Sequence, residues 1–275
     1  MRILVTNDDG IHAPGLRVAE EIARELASET GNETREAKVW VVAPEAEQSG
    51  ASRSLSLASP IRLQQVGERR FAVRGTPADC VIMAVRHLMP RPPDIILSGV
   101  NRGQNVADDI TYSGTIAAAM EGAVLGIPSF ALSQCYAPEH ADAIPWQVAR
   151  IHGARTIRAI LHAREKARAE AGNPPAPDTC ALFNINFPDC APDAVRGLRI
   201  TRQGRRDVQQ LLVEERIDLR GHPYFWLAFR RQVNDPPPDT DLYAIFNRLI
   251  PVTPLMMNLT DEQALARLGK ALRDV

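Results

Sequence analysis

The chain has 275 residues, 45% hydrophobic and 24% charged, with a formal net charge of -1. This suits one large globular unit with a sizeable core and excludes disorder as the default. The near-neutral balance gives no global field toward nucleic acid or an anionic membrane, so any bound anion must be held by local features.

Residues 2–6 (RILVT) predict a buried strand. The start MRILVTNDD is too short in its apolar run for a signal peptide. No stretch approaches the roughly 20 apolar residues that span a bilayer. Residues 15–28 place Leu16, Ala19, Ile22, Ala23 and Leu26 on one helical stripe. The polar run 28–38 reads as a surface loop, and VWVV at 39–42 as a second strand stopped by Ala43-Pro44. Together these make the βαβ unit of a parallel sheet.

Residues 94–97 (DIIL) predict another buried strand, ending at Ser98-Gly99. The alanine-rich run GTIAAAMEGAVLG from Gly114 predicts a helix, and SFALS at 129–133 the next strand. A long helix is expected within 145–171, with Val148, Ile151, Ile157, Ile160 and Leu161 on its apolar face. A strand is expected at 180–185 (CALFNI). Beyond about residue 190, prolines cluster (DPPPD, 235–239) and aromatic residues gather (YFWLAF, 224–229), which suits hairpins and an arm between copies. The end predicts a surface helix, with Thr260 and Gln263 at capping-box spacing and Leu265, Leu268 and Leu272 on one face.

Alternating strands and helices imply an α/β sheet covered on both faces. The expected organisation is one domain over 1–275, with a core over about 1–190 and a C-terminal hairpin, arm and helix over about 191–275. The four cysteines Cys80, Cys135, Cys180 and Cys190 form no C-x-x-C, which suits a reduced, cytoplasmic setting.

In such sheets ligands lie beyond the carboxyl ends of the strands. There the chain places Asp8 and Asp9, then Ser49, Gly50 and Ser52, then Asn101 and Asn105, then Asp108, Asp109 and the helix-opening Ser113-Gly114-Thr115. These are oxygen ligands with no thiol or histidine cluster, a set that suits a hard divalent cation. A cation also accounts for two adjacent carboxylates at the end of a buried strand. Ser113-Gly114-Thr115 offers free N–H groups to an anion, so metal and cradle together point to phosphoryl chemistry.

Each feature also has a plain reading. Asp-Asp-Gly suits a turn, Ser113 or Thr115 an N-cap, and Asn101 a left-handed turn. His12 reads as a turn histidine, and the basic run 202–207 as a solvated loop. P-loop, dinucleotide and nucleophile-elbow motifs are missing.

Four ordered blocks carry a resemblance. They are ILVTNDDGIHAPGL (3–16), VVAPEAEQSGASRSLSL (41–57), GTPADCV (75–81) and PDIILSGVNRGQNVADDITYSGTIAAAMEG (93–122), with TPL at 253–255. The chain resembles the survival protein SurE family of metal-dependent nucleoside monophosphate phosphatases. The resemblance implies a Rossmann-like three-layer core with a mainly parallel sheet. It implies one divalent cation, Mg2+ or Mn2+, on Asp8, Asp9, Ser49 and Asn101, and phosphate contacts from Asn105, Ser113, Gly114 and Thr115. It also implies nucleoside monophosphate substrates, and a homodimer or homotetramer joined through the C-terminal extension. Arg53 stands where members often carry asparagine and is expected to reach a phosphate or base.

The expected mechanism is hydrolysis by a water that Asp8 or Asp9 orients or deprotonates. Covalent attack by Asp8 is the rival route, and a non-catalytic metal- and nucleotide-binding regulatory module is the rival function.

Overall fold

A computed structural model describes residues 1–28, 38–170, 181–233 and 235–272. In chain order the first half holds β1 (Arg2–Thr6), α1 (Pro14–Ser28), β2 (Lys38–Pro44), β3 (Arg62–Gly67), β4 (Arg70–Arg74), α2 (Pro77–Met83), β5 (Ile95–Arg102) and α3 (Gly114–Val124). The second half adds β6 (Ser129–Gln134), α4 (Gln147–Glu170), β7 (Leu182–Phe187), β8 (Leu198–Ile200), β9 (Val208–Ile217), β10 (Pro223–Gln232), α5 (Asp241–Phe246), β11 (Ile250–Leu255) and α6 (Glu262–Ala271).

Nine strands form one sheet in the order β3-β4-β2-β1-β5-β6-β7-β11-β8. Pairing is parallel from β4 through β7, while β3 and β11 run antiparallel to their neighbours β4 and β7. The centre of β1, Ile3 to Val5, is apolar without alternation because both faces are covered. Its alternation sends Ile3 and Val5 into a core with α1 and α4, and Leu4 into a second core with α2 and α3. α1 lies directly on β5: a Cβ at Gly15 would stand 1.9 Å from the Val100 carbonyl oxygen. The α/β architecture expected from the alternating pattern is therefore the one formed, with helices on both sides of a mostly parallel sheet.

Several local expectations change. β5 does not stop at Ser98-Gly99 but runs to Arg102, with a register shift between Ser98 and Asn101. The β3–β4 edge hairpin was not legible because β3 is almost wholly exposed and lacks an apolar face. α2 carries an unread capping box: Thr76 accepts from the Asp79 amide while Asp79 accepts from the Thr76 amide. α6 is capped by Asp261, whose Oδ1 accepts from the Ala264 amide at 2.9 Å, rather than by Thr260. Beyond residue 190, β8 and β11 extend the main sheet, and only β9 and β10 form a separate two-stranded sheet. Most of the expected loop 28–38 lies outside the described residues, as does Cys180. Cys80, Cys135 and Cys190 are free thiols.

Candidate active site

The site begins where β1 ends. Asn7 braces the turn, donating from Nδ2 to the Gly10 carbonyl at 3.0 Å and accepting from the Gly10 amide at 3.3 Å. That holds Asp8 and Asp9 at the carboxyl edge of the sheet. The Gln48 amide donates to the Asp8 carbonyl at 2.8 Å, tying the loop after β2 to the same place. The far end of that loop is anchored to α2 by Thr76 Oγ1 donating to the Ser54 carbonyl and by the Ser56 amide donating to Asp79.

These loops enclose a cavity of about 460 Å3. Its wall includes seven of the eight residues predicted for the site: Asp8, Asp9, Ser49, Asn101, Asn105, Ser113 and Gly114. The eighth, Thr115, stands behind the wall and donates from Oγ1 to Asp8 Oδ1 at 2.6 Å. Asp8 is only 5% exposed. Burial pushes its carboxyl above the ordinary range, against the Thr115 hydrogen bond that lowers it. Asp9 is pushed up to about 7 by burial and then by the neighbouring Asp8 charge. Its Oδ2 accepts from the Arg102 amide at 3.3 Å.

The donor chemistry fits a hard cation. Glu47 adds a third carboxylate to the wall, and its charge further raises Asp8 and Asp9. Ser49 donates to Glu47 Oε1 at 2.8 Å, so the lone pairs of its Oγ face outward from that bond. Asn101 commits Nδ2 to the Gly103 carbonyl at 2.8 Å, which leaves Oδ1 for a cation. A buried and a half-buried carboxylate, an amide oxygen and a hydroxyl are the oxygen ligands such an ion takes.

The opposite wall is the start of α3. Ser113 is its N-cap, with Oγ accepting from the Ile116 amide at 3.1 Å, and the first-turn amides of Gly114 and Thr115 follow. Only glycine allows this approach, because a Cβ at residue 114 would lie 2.8 Å from Asp8 Cβ.

Asn105 is held by a buried network that sequence reasoning missed. Its amide donates to Asn186 Oδ1 at 2.8 Å, and its carbonyl accepts from Asn184 Nδ2 at 2.7 Å and Asn186 Nδ2 at 3.1 Å. Its side chain donates to Ser133 Oγ at 2.9 Å. The sheet register makes this possible: Asn101 pairs with Ser133, and Ser133 with Asn186. The available signal was LFNINF at 182–187, two asparagines spaced by two inside a fully buried strand.

Two other sequence readings change, and a third, His12 as a turn histidine, stands. The basic run 202–207 is only in part a solvated loop: Arg202, Arg205 and Asp207 are exposed, but buried Arg206 pairs with buried Asp109 at 2.7 Å, and its amide donates to Asp108 Oδ2 at 2.9 Å. In the same strap Gln203 donates to the Ala107 carbonyl, while Asp241 accepts from the Ala107 and Gly204 amides. These bonds hold Ala107 at φ 53 just before the turn that leads to Tyr112 and Ser113. Arg53 does not reach the cavity; its Nε donates to Glu121 Oε1 on α3 at 2.6 Å. His12 is exposed and outside the cavity wall.

Comparison with known proteins gives one answer from three directions. The model of the family "Survival protein SurE" matches residues 3–210. A protein of Methylobacterium sp. (strain 4-46) named 5′-nucleotidase SurE is 56% identical over 273 residues, covering 99% of this chain and 100% of that one. One of Bradyrhizobium diazoefficiens with the same name is 51% identical over 276 residues, covering 99% and 100%. The crystal structure of the SurE protein from Aquifex aeolicus matches with a TM-score of 0.76 at 31% identity, covering 98% of this chain and 99% of that one.

Proposed function

The chain belongs to the survival protein SurE family, and on that premise we propose that it is a phosphomonoesterase that hydrolyses nucleoside 5′-monophosphates, and 3′-monophosphates as well, to nucleoside and phosphate. The observation that carries this is the single cavity joining an all-oxygen cation set to the amino end of α3. The names of the relatives, 5′-nucleotidase, support the 5′ reaction.

A divalent cation, Mg2+ or Mn2+, held by Asp8, Asp9, Ser49 and Asn101 supplies positive charge against the phosphoryl oxygens and Lewis acidity toward water. Thr115 keeps Asp8 in one orientation through its 2.6 Å hydrogen bond. Asp9 has Oδ2 engaged by the Arg102 amide, so Oδ1 is the end that orients the attacking water and takes its proton. The amides of Gly114 and Thr115 and the Ser113 hydroxyl face the phosphate, where charge on its oxygens grows in the transition state. Ser133 can donate to or accept from the Asn105 side chain, so that amide can turn either end to the substrate.

The setting follows from the same reading. No helix among the described residues is long and apolar enough to cross a membrane. The free thiols of Cys80, Cys135 and Cys190 support a cytoplasmic setting, and the uncovered apolar residues of the hairpin and terminal helix, among them Phe225, Trp226, Leu227, Leu265 and Leu268, support a homodimer or homotetramer.

The test is phosphate release from a panel of 5′- and 3′-nucleoside monophosphates, first in EDTA and then with Mg2+ or Mn2+. Release should require the metal, and Asp8→Asn should lose at least about 10²-fold in kcat while remaining folded. Folded protein that binds metal and nucleotide without releasing phosphate would make it a regulatory binding module instead. Incorporation of solvent oxygen-18 into Asp8 during a single turnover would replace the water mechanism with a covalent one.

A further inference from the structure

Phosphate hydrolysis by itself asks for no aromatic side chain. Aromatic residues make up 5% of the chain, yet Tyr112, Tyr136 and Phe229 all line the one polar cavity that holds Asp8 and Asp9. Tyr112 precedes Ser113 directly, so its ring rises from the turn that presents the amino end of α3. It is 54% exposed, and Phe229 is 38% exposed. The two rings meet with centroids 5.5 Å apart and planes inclined at 54°. Across the cavity, Arg102 lies 5.8 Å from the Tyr136 ring centroid and bounds the space on that side.

The origin of Phe229 matters. It belongs to β10, which among the described strands pairs only with β9 and is not a strand of the main sheet. The hairpin therefore reaches back to the mouth of the cavity through an aromatic contact. A half-exposed ring pair beside a carboxylate-rich pocket keeps apolar surface in water unless a flat partner covers it. Aromatic faces bind bases by stacking, which tolerates any base because each has a π-face. The cavity of about 460 Å3 is within the range of small-ligand sites.

Resting on the nucleotidase reading, the geometry points to Tyr112 and Phe229 as the platform on which the substrate's nucleobase stacks. The phosphate is held one residue away at Ser113 and Gly114, and the ribose bridges the two positions. The β9–β10 hairpin is thus a specificity element: it selects nucleotides over phosphomonoesters that lack an aromatic base, and favours the larger purine faces over pyrimidines. The platform reads a π-face and not a base edge, so it distinguishes nucleotide from sugar phosphate more sharply than one base from another.

The experiment compares kcat/KM for adenosine 5′-monophosphate with that for ribose 5-phosphate, in wild type and in Phe229→Ala, Phe229→Leu and Phe229→Trp. The ratio should fall about tenfold in the alanine and leucine variants, mainly through the KM of the nucleotide, and recover in the tryptophan variant. Leucine keeps the bulk and apolarity of the site, so a loss there reads the missing π-face. An unchanged ratio in both variants, or an equal loss for both substrates, overturns the platform. Adenosine binding by equilibrium dialysis reads the platform without turnover. Binding that weakens about tenfold in Phe229→Leu upholds it even where no phosphate is released, and equal binding in wild type and variant overturns it.

Discussion

At the residue scale, the two adjacent carboxylates dominate. Asp8 and Asp9 are carried out of bulk water by the end of β1, and burial raises both above the ordinary carboxylate range. Asp9 titrates near 7 in the folded chain, against 3.8 for its ordinary value. The folded state therefore holds the Asp9 proton more tightly than the unfolded state does. The associated stability is fully present below pH 3.8 and is lost as pH rises through about 7. In EDTA, the melting temperature should fall between pH 5 and pH 8, and Asp9→Asn should flatten that fall. Added Mg2+ or Mn2+ should raise the melting temperature most at pH 8, where both carboxylates are ionised and bind the cation. A metal-free melting temperature that rises across this range would contradict the assignment.

At the element scale, the site is a product of strand register. β5, β6 and β7 place Asn101, Ser133 and Asn186 side by side at their carboxyl ends. Asn184 and Asn186 then clamp the main chain of Asn105 from both its amide and its carbonyl. Asn186→Ala leaves a buried amide without its acceptor, which costs roughly 1–3 kcal/mol. Thermal unfolding should show that loss. Kinetics should show a raised KM for nucleotide, and Asn186→Ser should recover part of it by restoring a small hydrogen-bonding group. A variant with unchanged KM would mean that Asn105 needs no such clamp. The clamp was partly legible, since asparagines at alternate positions of a buried strand require partners. Which atoms they meet was not legible, because Asn105 lies 79 and 81 residues away.

At the scale of the whole molecule, the last third of the chain packs against the turn that borders the cavity. Arg206 pairs with Asp109, Asp241 and Gln203 hold Ala107, and Phe229 meets Tyr112. All three contacts converge on the turn between β5 and α3. Arg206→Ala leaves the Asp109 charge buried without its guanidinium, a loss of about 3–5 kcal/mol in comparable pairs. Denaturant unfolding should show that loss, and activity measured well below the midpoint should fall too, since the turn leads into Ser113 and Gly114. A substitution that costs less than about 1 kcal/mol would make Arg206 as dispensable as the exposed charges of the same loop.

The amino-acid sequence alone determined the α/β class, five of the core strands and the oxygen-bearing loops at their ends. These are local properties: short apolar runs mark two-sided burial, and carboxylate, amide, hydroxyl and glycine cluster within a few residues of each strand end. Asp8, Asp9, Ser49, Asn101, Asn105, Ser113 and Gly114 stood among the residues so marked, with Ser52 and Asp108 beside them, and the resemblance to a known family selected them before any was seen to share a cavity. Only the tertiary structure decided what braces them. The Asn184–Asn186 clamp, the Arg206–Asp109 pair, the tie of Arg53 to Glu121 and the meeting of Phe229 with Tyr112 join segments from 68 to 117 residues apart. No helical or strand period records such contacts. They exist because the register of a nine-stranded sheet and the return of the C-terminal chain across its edge bring those side chains to one place.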